Sequence, residues 1–184
     1  MTGRGPLADG PPVSRLGPTV SLDLATLERQ ASARSLLLRL KVHRRLGLWT
    51  LRARVARRDP QGVWHGLGEL TGWAYAAPAG LHLETLRVQA GAPPDVALIL
   101  AAATVLWALE ATPCRRARIL AIHDGDRQHR RLVRYFRRLG FRPMRVVGAA
   151  LADLPLRVVW GGAGLLMEAD CTELLGCCQR RLAL

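Results

Sequence analysis

The stretch at residues 129–141, "HRRLVRYFRRLGF", decides how this chain is read, because five arginines stand among its thirteen residues and yet its apolar positions keep a helical beat. Leu132, Val133, Phe136 and Leu139 recur at three- and four-residue steps, which gathers them on one face of a helix. Arg130, Arg131, Arg134, Arg137 and Arg138 fall largely outside that stripe. Gly140 supplies the left-handed residue that ends a helix, and Phe141 begins the return to the core. The spacing predicts a packed helix whose wet side is arginine.

Outward from this helix, "RARILAI" (116–122) reads as a strand ending in consecutive apolar residues, as expected of an interior position. "HDGD" (123–126) is turn chemistry. Its His123, Asp124 and Asp126 are also metal-ligand types, but two carboxylates in one turn do not make a site. Downstream, "RPMRVVGAA" and "PLRVVWGGAG" read as two closing strands or extended segments, with the glycines at 161–164 forming a bulge or corner. That glycine run lacks the spacing and the Lys-Ser/Thr of a phosphate loop.

Upstream, "LWTLRARVARRDPQGVW" alternates: Trp49, Leu51, Ala53 and Val55 face one way, and Arg52 and Arg54 the other. It predicts a strand entering a turn at 59–62. "GELTGWAYAAPAGLHLETLRV" gives two more strands broken at Pro78–Gly80. A helix is expected from Ser21, a serviceable N-cap, whereas "SLLLRLKVHRRLGLW" fits helix and strand alike. The most apolar run, 96–109, is fourteen residues long, short of the roughly 20 that a membrane span needs, so it predicts a buried helix. The order is helix, three strands, helix, strand, helix, two strands. The expected fold class is mixed α/β, a mostly antiparallel central sheet flanked by helices, with parallel pairing where strand–helix–strand units occur.

These features together resemble a GNAT-superfamily N-acetyltransferase. The family's second motif is a strand, a loop with an Asn, and a helix ending in a phrase like "YEKLGF". "RILAI", "HDGDRQ" and the helix ending "FRRLGF" match that layout. "LHLETLRV" resembles the family's central strand, and 96–110 the helix after its cofactor loop. The resemblance covers residues 46–168 in layout, and its specific letters lie in 118–141. It implies acetyl-CoA or another acyl-CoA as donor and an amine as acceptor. Leu86, Arg87 and Val88 of the central strand, Val96 and Ala97 at the helix start, and His129 in the Asn place are the implied cofactor contacts. Glu84 is the implied general base, which would take a proton from an amine; the alternative reading is an ordinary strand carboxylate paired with an arginine. The family's general-acid tyrosine falls at Phe136, and Tyr135 beside it is the candidate acid, although adjacent helix positions point about 100° apart.

The cofactor loop departs from the family's Arg-x-x-Gly-x-Gly/Ala. Ala92 stands in the arginine place, Asp95 in the first glycine place and Ala97 in the last. Only Ala97 fits. Pro93 and Pro94 have no N–H to offer a pyrophosphate, and Asp95 brings negative charge, which suits a helix N-terminus instead.

With 184 residues the chain is read as a flexible Gly/Pro-rich leader (1–20) followed by one domain (21–184). The formal net charge is +13, and Lys41 is the sole lysine. That charge suits an acidic partner, and it equally suits arginine-rich codon usage. Between 115 and 145, eleven arginines face two aspartates. A second reading is therefore a non-catalytic GNAT-like protein that binds nucleic acid or an acidic protein through Arg130, Arg134 and Arg137. A third makes the chain an assembly subunit with tryptophans at an interface. Cys114, Cys171, Cys177 and Cys178 lack zinc spacing, and reduced thiols place the expected compartment in the cytoplasm, without membrane insertion.

Overall fold

Alternation of apolar and basic residues builds the first half of the sheet. The computed structural model describes residues 22–123 and 125–182. Helix α1 (Leu24–Ala33) starts at Asp23, whose carboxylate accepts the Thr26 N–H at 2.6 Å. The anticipated Ser21 start and the leader lie outside the described residues. Four strands follow as an antiparallel meander: β1 (Leu36–Arg45), β2 (Leu48–Arg58), β3 (Trp64–Tyr75) and β4 (Leu81–Val88). In β2, Trp49, Leu51, Ala53 and Val55 are buried while Arg52 and Arg54 are exposed, as the alternation predicts. The ambiguous segment before it is β1, so four strands rather than three precede the second helix. Its hairpin turn places Leu46 at φ 50° and Gly47 at φ 80°. A leucine in that left-handed position conceals the Asn-Gly or Asp-Gly signal such a turn normally shows.

Helix α2 (Asp95–Ala111) is buried on nearly every side, which is what an all-round apolar helix requires. Among the described residues no helix is long and apolar enough to cross a membrane. Strand β5 (Arg116–Ile122) lies parallel to β4, as the strand–helix–strand order predicts. Helix α3 (Asp126–Arg138) buries Phe136, and Gly140 turns the chain at φ 99° into β6 (Arg142–Val147).

The end of the chain departs from expectation. "PLRVVW" is not a strand but helix α4 (Leu154–Trp160), entered through Asp153 with Pro155 in its first turn and stopped by left-handed Gly161. Proline without an N–H is tolerated at that position, and its φ suits a helix start. Asp153 also accepts the Gly148 N–H at 2.8 Å and pairs with Arg145, which ties down the preceding loop. The glycines do form a corner. The second closing strand is β7 (Gly164–Asp170), and α5 (Cys171–Leu182) follows, with Asp170 accepting the N–H groups of Thr172 and Glu173. Among the described residues the result is a mixed α+β fold with five α-helices and a seven-stranded sheet in the order β1-β2-β3-β4-β5-β7-β6.

The sheet has two unlike faces. Helices α1, α2 and α5 and the apolar stripe of α3 cover one, around Leu27, Val55, Leu83, Ile119, Phe136, Met167 and Leu174. On the other, α4 covers the β5–β7 region, where Trp160 packs with Leu120, Val147 and Leu166. On β1 and β2 this second, open face exposes Arg39, Lys41, His43, Arg52 and Arg54.

Candidate functional site

The sheet breaks at one place, and the break has a cause in sequence. Strands β4 and β5 pair only at Leu81–Ala117, His82–Arg118 and Leu83–Ile119. Beyond that, β4 continues to Val88 against β3, and β5 continues to Ile122 against β7. On the β3 side, Thr71 pairs with Thr85 but Gly72 pairs with Leu83, so Glu84 is the extra residue of a β-bulge. A bulge bends its strand and disrupts the local ladder, and here it falls at the residue where β4 parts from β5. Gly72 permits the close approach, since a Cβ there would lie 2.3 Å from the His82 carbonyl oxygen. Leu86, Arg87 and Val88 therefore lie along a strand edge that faces β5 without pairing to it.

Glu84 also closes the β4 end of a groove on the open face. This cavity of about 730 Å³ is lined by Lys41 and His43 of β1, Thr50 and Arg52 of β2, Thr71 and Trp73 of β3, and Glu84. The Glu84 side chain is exposed and makes neither a hydrogen bond nor a salt bridge to another described residue. The arginines nearby are otherwise engaged: Arg52 and Arg54 share Glu69, at 3.2 and 2.9 Å. The bland alternative for Glu84, a strand carboxylate paired with an arginine, is thus the role of Glu69.

Behind Glu84 lies a feature that sequence reasoning missed. The His82 ring is stacked between Trp73, at 3.9 Å between ring centroids, and Trp160 of α4, at 4.9 Å. It is only 6 % exposed, and neither ring nitrogen has a hydrogen-bond partner among the described residues. Burial, with Arg118 adding to it, pushes the imidazole pKa down to about 4, so the ring is neutral near pH 7. The spacing of Trp73 and Tyr75 in β3 is a signal that was available, but Trp160 joins them only because residues 154–160 form a helix rather than a strand.

The other sequence-derived residues are scattered. Tyr135 packs against the covered face beside α5, with its hydroxyl unpartnered. Burial, then the neighbouring Cys178 thiol, push its pKa up to about 12. Glu84 lies on the open face, so the two are not brought together, and Tyr135 is not placed to act as its acid. Val96 is fully buried and its N–H already bonds the Pro93 carbonyl at 3.1 Å, which removes it as a donor to a ligand. Ala97 stands half-buried in the first turn of α2. His129 stacks on His123 at 4.7 Å and contacts the Ile122 carbonyl through Nδ1 at 3.2 Å, near β6 and β7 rather than β4. His123 also pairs with Asp126 at 3.0 Å, while Asp124 lies outside the described residues. Among the described residues no three potential ligands gather for a metal. The four cysteines are free, and burial pushes Cys171 and Cys178 up to about 12.

An acyl-CoA fits one half of this arrangement and not the other. The unpaired edge of β4 offers backbone donors and acceptors of the kind an amide-bearing pantetheine arm would pair with. The start of α2 offers no diphosphate cradle: Pro93 and Pro94 lack N–H groups, the Val96 N–H is taken, and Asp95 is held by Arg34 at 3.7 Å. Comparison with known proteins gives no matching family model and no matching curated protein.

Proposed function

We propose that this chain is a divergent GNAT-type N-acyltransferase that moves an acyl group from an acyl-CoA to an amine, working in the reducing cytoplasm. The observation that carries the reading is the position of Glu84, which stands at once at the origin of the β4–β5 gap and at the end of the open-face groove. An acceptor in the groove and a donor arm along Leu86–Val88 would meet at this carboxylate. When bound, the thioester supplies an acyl carbon already activated for attack. Glu84 takes the proton from the acceptor's ammonium group and frees the nitrogen lone pair, which bonds the acyl carbon as its C–S bond breaks; the amide nitrogen's surplus proton passes through solvent to the departing thiolate. The strand edge and the groove hold the two reactants in line, which lowers the entropic part of the barrier. Tyr135 has no part in this, and neither His129 nor the Val96 N–H reaches it.

The test is release of free thiol from acetyl-CoA in the presence of an amine mixture. Glu84→Gln should lower turnover by about a hundredfold or more at neutral pH while leaving acetyl-CoA affinity close to wild type. Unchanged turnover acquits Glu84 as the base.

A second reading has an observation of its own. Arg130, Arg131, Arg134, Arg137 and Arg138 are all exposed on α3, and none forms a salt bridge with a described residue. Such a face suits nucleic acid or an acidic protein, and its signature would be an affinity that falls steeply with salt.

A further inference from the structure

We infer that the open-face groove takes a zwitterionic acceptor, a primary amine that also carries a carboxylate or a phosphate. The inference rests on the acyl-transfer reading, because it assigns the amine end of the ligand to Glu84. Its own support is the separation of charge along the groove. On the open face Lys41 stands directly opposite Arg52, and Arg39 directly opposite Arg54. Like charges on facing positions destabilise a sheet, and the fold keeps two such rungs side by side. A single carboxylate, Glu69, answers Arg52 and Arg54 together. Lys41 makes no salt bridge with a described residue, so the β1 end of the groove holds uncompensated positive charge.

The β4 end is the reverse, with the unpaired carboxylate of Glu84. Strands lie about 4.8 Å apart, so three spacings separate the β1 and β4 backbones by roughly 14 Å. The long Lys41 and Arg52 side chains extend across part of that distance. A ligand with its ammonium towards Glu84 and its oxyanion towards Lys41 and Arg52 satisfies both ends. The Thr50 and Thr71 hydroxyls and the His43 ring line the same cavity and can hydrogen-bond an oxyanion, and Trp73 gives the intervening methylenes an apolar wall. A diamine meets repulsion at the β1 end, and a neutral-tailed amine leaves Lys41 unanswered, whereas Arg52 already shares Glu69. Both cations are exposed, so the discrimination is moderate.

The experiment is calorimetric titration of the full chain, without donor, with three amines of matched four-carbon length: γ-aminobutyrate, butylamine and putrescine. O-phosphoethanolamine is the phosphate arm and tells which oxyanion the groove favours. The expected result is that γ-aminobutyrate or O-phosphoethanolamine binds at least about tenfold more tightly than butylamine or putrescine. Lys41→Glu and the milder Lys41→Gln, which both relieve the like-charge rung and should melt near wild type, should reduce that preference, Lys41→Glu the more. Equal binding of the amines, preference for butylamine or putrescine, a preference untouched by both variants, or no binding of any of the four would each overturn the inference. A parallel titration with acetyl-CoA separates the two readings. Binding of acetyl-CoA with none of the amines sinks the acceptor class alone. Binding of the zwitterion without acetyl-CoA sinks the donor reading and leaves the groove as an anion-amine site.

Discussion

At the scale of single residues, Glu84 and His82 sit two positions apart on β4 and show opposite treatments of a titratable group. Glu84, extruded by the bulge, keeps its carboxylate in water; His82 is stacked between two indoles, and neither ring nitrogen has a partner among the described residues. A buried imidazole that resists protonation makes stability depend on pH, and the sign follows from linkage. The unfolded chain takes up the proton near pH 6.5, whereas folded His82 resists until about 4. Its contribution is therefore fully present above the unfolded pKa and is lost progressively as pH falls from there to about 4. His82→Phe keeps a flat ring between Trp73 and Trp160 and has nothing to protonate. Its melting temperature should decline less than that of wild type between about pH 7 and about pH 4. Parallel profiles for the two proteins would show that the sandwich does not control the acid response. A role as base for Glu84 was implied by the resemblance alone, whereas its place on a strand was legible in the sequence. The bulge that frees it was not: a bulge is a mismatch of register between two strands, and neither "ELTGW" nor "HLETL" announces which residue will be left over.

At the scale of elements, periodicity predicted whatever buries one face. The stripe of α3 and the alternation of β2 came through as read, and the all-round apolar run of α2 gave the central buried helix. The failures have particular causes. Three consecutive leucines, Leu36–Leu38, hide the alternation that begins in β1 at Leu38. The β-branched pair Val158 and Val159 made α4 look extended, although Asp153, Pro155 and Gly161 supplied start and stop signals. Helix α5 carries Gly176 and a cysteine pair, weak helix formers that obscure it, but Asp170 followed by Glu173 was a usable N-terminal signature. The α3 stripe leads to two expectations. Phe136 is 3 % exposed and packs against Phe141 at 5.6 Å between centroids, so Phe136→Ala should lower stability by about 3–5 kcal/mol in denaturant titration. Replacing Arg130, Arg134 and Arg137 together with glutamine should leave stability near wild type, since these side chains are exposed. With generic DNA or RNA at two salt concentrations, the variant should bind as weakly as wild type if the arginines only solvate the helix. A steep salt slope in wild type that flattens in the variant would instead establish the polyanion reading.

At the scale of the whole molecule, one sheet is asked to do two things. Its covered face packs α1, α2, α3 and α5 into a continuous core, and its open face is cationic over β1 and β2 and carries the Glu84 carboxylate on β4. Beyond Leu83 and Ile119 strands β4 and β5 no longer pair, and acyl transfer requires that a thioester donor enter there. The most direct measurement is the binding of acetyl-CoA to the full chain, by calorimetry and by melting temperature. A ligand that binds only the folded state raises the melting temperature in proportion to its saturation. The account predicts saturable heat and an upward shift, both retained in Glu84→Gln. It is contradicted by flat calorimetry together with an unchanged melting temperature at millimolar acetyl-CoA.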